Sequence, residues 1–262
     1  MLTKSTIRLI TSLRQRKFRR QEGLFVAEGP RLVGELLPAF RCKLLLATQE
    51  WMADEGHKWG GCPMEVITSA ELERVSSLQT PQQVVALFEI PDDENFAIDT
   101  AASSVATEGL HIALDGVQDP GNLGTIIRLA DWFGIRHIWC SPITADVWNP
   151  KVVQATMGGI ARVSVHYVEL PAFLAALPAE VPVYGTSLDG DSLWDSSLSD
   201  NGIIVMGNEG NGVTSEVNSL CRRRLFIPNY PAGQPTTESL NVAMATGIVL
   251  AEFRRRQNTL FQ

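Results

Sequence analysis

Residues 110–134 read LHIALDGVQDPGNLGTIIRLADWFG: a strand, a glycine-rich loop and a helix in succession. The run LHIALD (110–115) is apolar without clear alternation, which suits a strand buried on both faces. In the helix that follows, Asn122 suits the N-cap and Gly134 the position just past the end. At 100° per residue, Leu123, Ile126, Ala130 and Phe133 share one face, and Arg128 points nearly the opposite way. Working towards the C-terminus, further strand-like runs are RHIWC (136–140), RVSVHYV (162–168), PVYGTSL (182–188), GIIVMG (202–207) and RLFIP (224–228). Helical patterns separate them, and a long apolar helix is predicted from about Ser239 to Arg256. Such alternation predicts an α/β domain with a mostly parallel sheet over residues 108–262.

Working towards the N-terminus, residues 93–107 are acidic and then small and polar, which reads as a linker. Residues 1–92 read as a second, smaller α/β domain. Its predicted strands are 23–27, 43–48, 64–68 and 83–90, and its predicted helices 29–37 and 69–78. A helical segment over 2–20 precedes them, with Ile7, Ile10, Leu13 and Phe18 on its apolar side.

Net charge is −7, which alone disfavours a nucleic-acid partner, but the charge is divided unevenly. Residues 1–43 hold ten Lys/Arg against three Glu; the remainder holds twelve against twenty-six Asp/Glu. A basic segment on an acidic body can grip a phosphate backbone locally, and Arg14, Arg16, Lys17, Arg19 and Arg20 are the candidate contacts. A solvated basic helix accounts for the same charges equally well. No apolar run approaches the roughly 20 residues of a membrane span, so no membrane association is expected. No apolar signal region follows Met1. Arg-rich and acid-free, residues 1–21 resemble a mitochondrial presequence in that one respect, but they run into an ordered-looking segment. A cytoplasmic location is expected. Cys42, Cys62, Cys140 and Cys221 form no C-x-x-C pair, and the histidines 57, 111, 137 and 166 are dispersed. The expectation is therefore scattered buried thiols and no metal.

Three loops after strands carry the chemistry, since open α/β sheets bind ligands beyond the carboxyl ends of their strands. The first leads to Arg128, which is either a solvated side chain or an arginine presented to a substrate or another subunit. The second, GNEGNG (207–212), packs three glycines and Glu209 into a tight turn. No G-K-[ST] follows it, which excludes a P-loop, and G-x-G-x-x-G is missing after residues 110–115. The third, IPNYPAGQPTTESLN (227–241), places Ser239 and Asn241 at the entry of an apolar helix, where polar groups need partners.

Taken in order, NLGTIIR (122–128), GNEGNG (207–212) and IP (227–228) with ESLNV (238–242) resemble the three motifs of the SpoU/TrmH family of RNA 2′-O-ribose methyltransferases, within the SPOUT superfamily. NPKVVQATMGG (149–159) is similar to the family's stretch between the first two. GLFVAEGPRLV (23–33) resembles the start of the L30e-like substrate-binding domain that many members carry. The resemblance implies a deep trefoil knot, bound S-adenosylmethionine and a homodimer. It implies cofactor contacts from Gly207, Ile227 and Leu240, and more weakly from Thr186 and Ser187. Arg128 is implied as the activating residue, with Asn122, Glu209, Ser239 and Asn241 ordering the site. Ribosomal RNA is favoured over transfer RNA as substrate. A transfer-RNA methyltransferase, or an RNA-binding protein with an inactive knotted domain, is the alternative. One departure is plain: Asn229 stands where members commonly have Met, and about four extra residues fall within 230–237.

Overall fold

The computed structural model describes residues 2–59, 61–91 and 109–258. The linker expected at 93–107 lies outside the described residues. The chain divides into two compact units, Met1–Asp93 with Asp146–Ala161 and Glu94–Ala145 with Arg162–Gln262.

In the first unit a four-stranded sheet has the order β1-β4-β2-β3, with β1 Leu24–Glu28, β2 Cys42–Ala47, β3 Met64–Val66 and β4 Val84–Glu89. β4 pairs antiparallel with β1 and β2, and β2 pairs parallel with β3. The sequence spacing located these strands to within about two residues. It missed helix α4 (Gln49–Asp54) and ran two helices together. α1 (Lys4–Ser12) stops where Thr11 and Ser12 turn their hydroxyls back onto carbonyls of their own helix, a pattern that competes with helix continuation. α2 (Arg16–Glu22) then starts afresh. α3 (Pro30–Leu36) and α5 (Ser69–Val75) follow β1 and β3, α5 behind a Thr68–Glu71 capping box. Leu2, Ile10 and Leu13 join Leu24, Val26, Leu46, Leu72 and Leu87 in one core. The segment 146–161, carrying α7 (Pro150–Thr156), belongs to this unit. Trp148 packs on Phe25 at 4.6 Å between ring centroids and on Phe40 at 5.9 Å.

The expectation of scattered thiols fails for one pair. Cys42, opening β2, and Cys62, just before β3, form a disulfide with Cα atoms 5.7 Å apart. Parallel pairing of β2 with β3 aligns them, which a separation of twenty residues could not reveal. Cys140 and Cys221 are free.

The second unit is a six-stranded, wholly parallel sheet of order β10-β8-β9-β5-β6-β7. Its strands are β5 Leu110–Asp115, β6 His137–Cys140, β7 Ser164–Tyr167, β8 Val183–Ser192, β9 Gly202–Gly207 and β10 Arg223–Phe226. β5 and β9 lie at the centre and are buried throughout, as their unbroken apolar runs require. Helices α6 (Pro120–Trp132), α8 (Leu170–Ala175), α9 (Ser215–Leu220) and α10 (Val242–Asn258) complete the unit, α10 packing on α6. β8 runs further than expected. It pairs with β10 through Tyr184–Gly185 and again through Asp191–Ser192, so residues 186–190 loop out of the ladder. The histidines at 111, 137 and 166, dispersed in sequence, gather across β5, β6 and β7 as a stack against Trp139. Among the described residues no helix is long and apolar enough to cross a membrane.

Candidate active site

Because the second sheet is parallel, the carboxyl ends of β5, β8, β9 and β10 open on one edge, and the three singled-out loops meet there. The first begins at Asp115, whose carboxylate accepts from the Thr214 backbone N–H at 2.8 Å. Its helix starts earlier than expected. Asp119, not Asn122, is the N-cap, accepting from Asn122 N–H at 2.8 Å, with Pro120 in the first turn. The Asp-Pro pair was the available signal, since proline favours the first helical position.

That shift frees the Asn122 side chain for a different task. Its amide donates to Glu209 Oε1 at 3.0 Å, and its carbonyl accepts from Asn241 Nδ2 at 2.9 Å. Glu209 also accepts from the backbone N–H groups of Asp119 (3.1 Å) and Gln118 (3.3 Å). Partial burial pushes the Glu209 carboxyl up, but the hydrogen bonds from Asn122 and from the backbone of Glu209, Asp119 and Gln118 outweigh it. The group is held below the ordinary carboxylate value. Glu209 is therefore an anionic tie between the first and second loops, less basic than a free carboxylate.

The second loop is a closed turn: Asn208 and Gly212 exchange both backbone hydrogen bonds at 2.9 Å. Gly212 has φ of +69°, and a Cβ on Gly207 would lie 2.2 Å from the Gly212 carbonyl carbon. A side chain at 207 would force the turn open. Asn208, not singled out from the sequence, donates to the Gly116 carbonyl at 2.8 Å and adds a further tie.

In the third segment the expected helix start at Ser239 is corrected. α10 begins at Val242, and Asn241 is the cap, its Oδ1 accepting from Ala243 and Met244 N–H at 3.0 and 3.2 Å. Both Ser239 and Asn241 are exposed, so the expected burial of this entry does not hold. Asn241 faces two ways, capping α10 with its oxygen and joining Asn122 with its nitrogen.

The second loop, the third segment and the end of β8 border a cavity of about 430 Å³ lined by Thr186, Ser187, Gly207, Glu209, Ile227, Ser239 and Leu240 among others. All five expected cofactor contacts thus line one space. Met206, Leu225, Phe226 and Val249 make part of it apolar, and Asn208, Asn218 and Asp189 supply polar groups. Thr186 donates to the Val205 carbonyl at 2.9 Å, and the Ser187 hydroxyl donates to Asp189. A mixed cavity of this size suits a ligand with both nucleoside and amino-acid parts. Arg128 is not in its lining. It is exposed on α6 in a stripe with Gly121, Thr125 and Trp132, and has no hydrogen-bond or ion-pair partner among the described residues.

In the first unit, Arg14, Arg16, Lys17 and Arg20 are exposed, although Arg14 donates to the Ser76 carbonyl at 2.8 Å. Arg19 does not belong with them. It is 2% exposed, donates to the carbonyls of Leu13 (2.7 Å) and Arg14 (3.0 Å), and pairs with Asp146. Counting charges could not detect this, because only the phase of α2 turns Arg19 inward.

Residues 109–251 match the SpoU rRNA methylase family and residues 4–86 the MRM3-like substrate-binding domain. A Bacillus subtilis protein, the 23S rRNA (guanosine(2553)-2'-O)-methyltransferase RlmP, is 32% identical over 92% of this chain and 93% of its own length. Among solved structures, a TrmH-family protein from Porphyromonas gingivalis superposes with a TM-score of 0.85 at 42% identity, covering 98% of this chain and 99% of the other. An rRNA methyltransferase from Sinorhizobium meliloti, solved with AdoMet bound, gives 0.81 at 31% identity over 98% and 96%. The chain belongs to the SpoU rRNA methylase family.

Proposed function

We propose that this protein transfers a methyl group from S-adenosylmethionine to a ribose 2′-hydroxyl of ribosomal RNA. The observation that carries the reading is that the second and third motif loops line one cavity and that the first is tied to both of them through Asn122, which bonds Glu209 and Asn241. Its support for ribosomal RNA is the relative's named substrate and the match of residues 4–86 to an MRM3-like substrate-binding domain. The L30e-like domain (1–92), the methyltransferase domain (108–262), its trefoil knot and a cytoplasmic location belong to the same reading.

When bound, S-adenosylmethionine would supply an electrophilic sulfonium methyl for transfer to the ribose oxygen, with the neutral thioether as leaving group. Gly207, Ile227 and Leu240, with Thr186 and Ser187, would hold it against the apolar wall. Positioning the hydroxyl contributes much of the rate. Glu209 fixes Asn122, which fixes Asn241, so the three motifs move as one body. A guanidinium is too weak an acid to give up its proton near neutral pH. Arg128 therefore acts by orienting the substrate and stabilising the alkoxide that forms as the hydroxyl proton passes to solvent water, and does not itself take the proton. Lying outside its own cavity's lining, Arg128 reaches a second copy's site, and the chain works as a homodimer. Support for that pairing comes from Trp132 and Met244, 83% and 63% exposed on the mutually packed helices α6 and α10.

Calorimetric titration with S-adenosylmethionine in the presence of a chelator tests the cofactor reading. Saturable binding is expected. No binding with or without RNA would overturn the function.

A further inference from the structure

We propose that Tyr230 is a stacking platform for a nucleobase of the RNA beside the methylated ribose, a role that rests on the function proposed above. Tyr230 is 96% exposed. It stands on a braced turn, where the Asn229 side-chain amide donates to the carbonyls of Pro231 (3.3 Å) and Gln234 (3.1 Å). Gln234 N–H closes on the Pro231 carbonyl at 3.3 Å, and Gly233 takes φ of +75°. Pro228 and Pro231 flank the Asn229–Tyr230 pair and limit its backbone further. The turn thus holds the aromatic ring out in water.

Its place relative to the cavity is fixed at both ends. The segment leaves the cavity wall at Ile227 and re-enters it at Ser239 and Leu240. Three residues span at most about 11 Å, so Tyr230 stays within that reach of Ile227. Tyr230 is not part of the lining, so the ring is offered to a molecule arriving at the rim, not to one filling the cavity. Leu240, 51% exposed, adds apolar surface at that rim. A nucleotide presented for 2′-O-methylation must be accessible, and unstacked bases of single-stranded RNA are recognised by aromatic side chains.

The test uses the full chain with in vitro transcribed large-subunit ribosomal RNA, which lacks methyl groups. Tyr230→Ala is expected to raise KM for RNA by about 5- to 150-fold, the range for removing one base–aromatic stack. Affinity for S-adenosylmethionine, measured by calorimetry, stays unchanged. Tyr230→Phe retains wild-type KM, because the ring and not the hydroxyl makes the contact. Asn229→Ala, which releases the brace, shifts KM in the same direction by less. An unchanged KM in Tyr230→Ala, or a Tyr230→Phe as impaired as the alanine variant, overturns the proposal. If the wild type transfers no methyl group, the functional reading fails. The stacking role is then decided by fluorescence of a single-stranded RNA carrying 2-aminopurine: quenching by wild type and Tyr230→Phe but not Tyr230→Ala supports it, and equal responses reject it.

Discussion

The loop cluster of the second unit and the basic helix pair of the first both mix charges turned inward with charges turned outward. In the loops, Glu209 faces the fold and binds Asn122 and two backbone N–H groups, while Arg128 stands outside without a partner among the described residues. In α2, Arg19 is buried against Asp146 and two carbonyls, while its neighbours Lys17 and Arg20 face water. Composition treats these groups alike. The structure separates charges that shape the protein from charges left for a ligand, and substitutions should separate them by different readouts.

The largest effect is expected where an inward charge is removed. Arg19→Ala leaves Asp146 without its buried partner and should lower stability by about 3–5 kcal/mol, read from urea unfolding. A change under about 1 kcal/mol would place Arg19 with its exposed neighbours. Removing the outward Arg128 should do the reverse. Arg128→Ala is expected to cut methyl transfer by about 100- to 1,000-fold, as for removal of an oxyanion donor, with unfolding and cofactor affinity unchanged. Wild-type turnover would remove Arg128 from the mechanism. Arg128→Lys should also fail, because a point charge does not reproduce the planar fork.

A third test concerns groups held neutral. Burial first, and then neighbouring histidines, push His111 and His166 down to about 4. His111 Nδ1 also accepts from Trp139 Nε1 at 3.1 Å, a bond that protonation of that nitrogen breaks. Because these folded-state values lie below the unfolded value of about 6.5, the unfolded chain takes up more protons in between. Stability is therefore full above about pH 6.5 and is lost as pH falls towards 4. By pH 5 the loss for His111 is on the order of 2 kcal/mol. Equal urea midpoints at pH 7.5 and 5 would contradict this. The smallest effect per residue belongs to the outward bases. Replacing Arg16, Lys17 and Arg20 with Gln should flatten the salt dependence of RNA binding by roughly one unit for each phosphate no longer neutralised, with stability and cofactor binding retained. An unchanged slope would leave those residues as a solvated face.

What the sequence made legible follows from the same division. Strands buried on both faces must be continuous apolar runs, so β5 and β9 were located residue for residue. The glycine-, asparagine- and proline-rich loops after β5, β9 and β10 could be ordered into a resemblance, and Thr186, Ser187, Gly207, Ile227 and Leu240 do line one cavity. Contacts that depend on helix phase or strand register were not legible. The caps fell on Asp119 and Asn241 where Asn122 and Ser239 were expected, Arg19 turned inward, and Cys42 met Cys62 across neighbouring strands. Each is a consequence of where an element begins, which periodicity locates least well.

The central claim is the transfer itself. Isotope-labelled S-adenosylmethionine is incubated with the protein and transcribed large-subunit ribosomal RNA, and the RNA is then digested to nucleosides and analysed. Label is expected in a 2′-O-methylated nucleoside, accumulating about 100- to 1,000-fold more slowly with Arg128→Ala. Label in a base-methylated nucleoside, or equal labelling by wild type and Arg128→Ala, would contradict it.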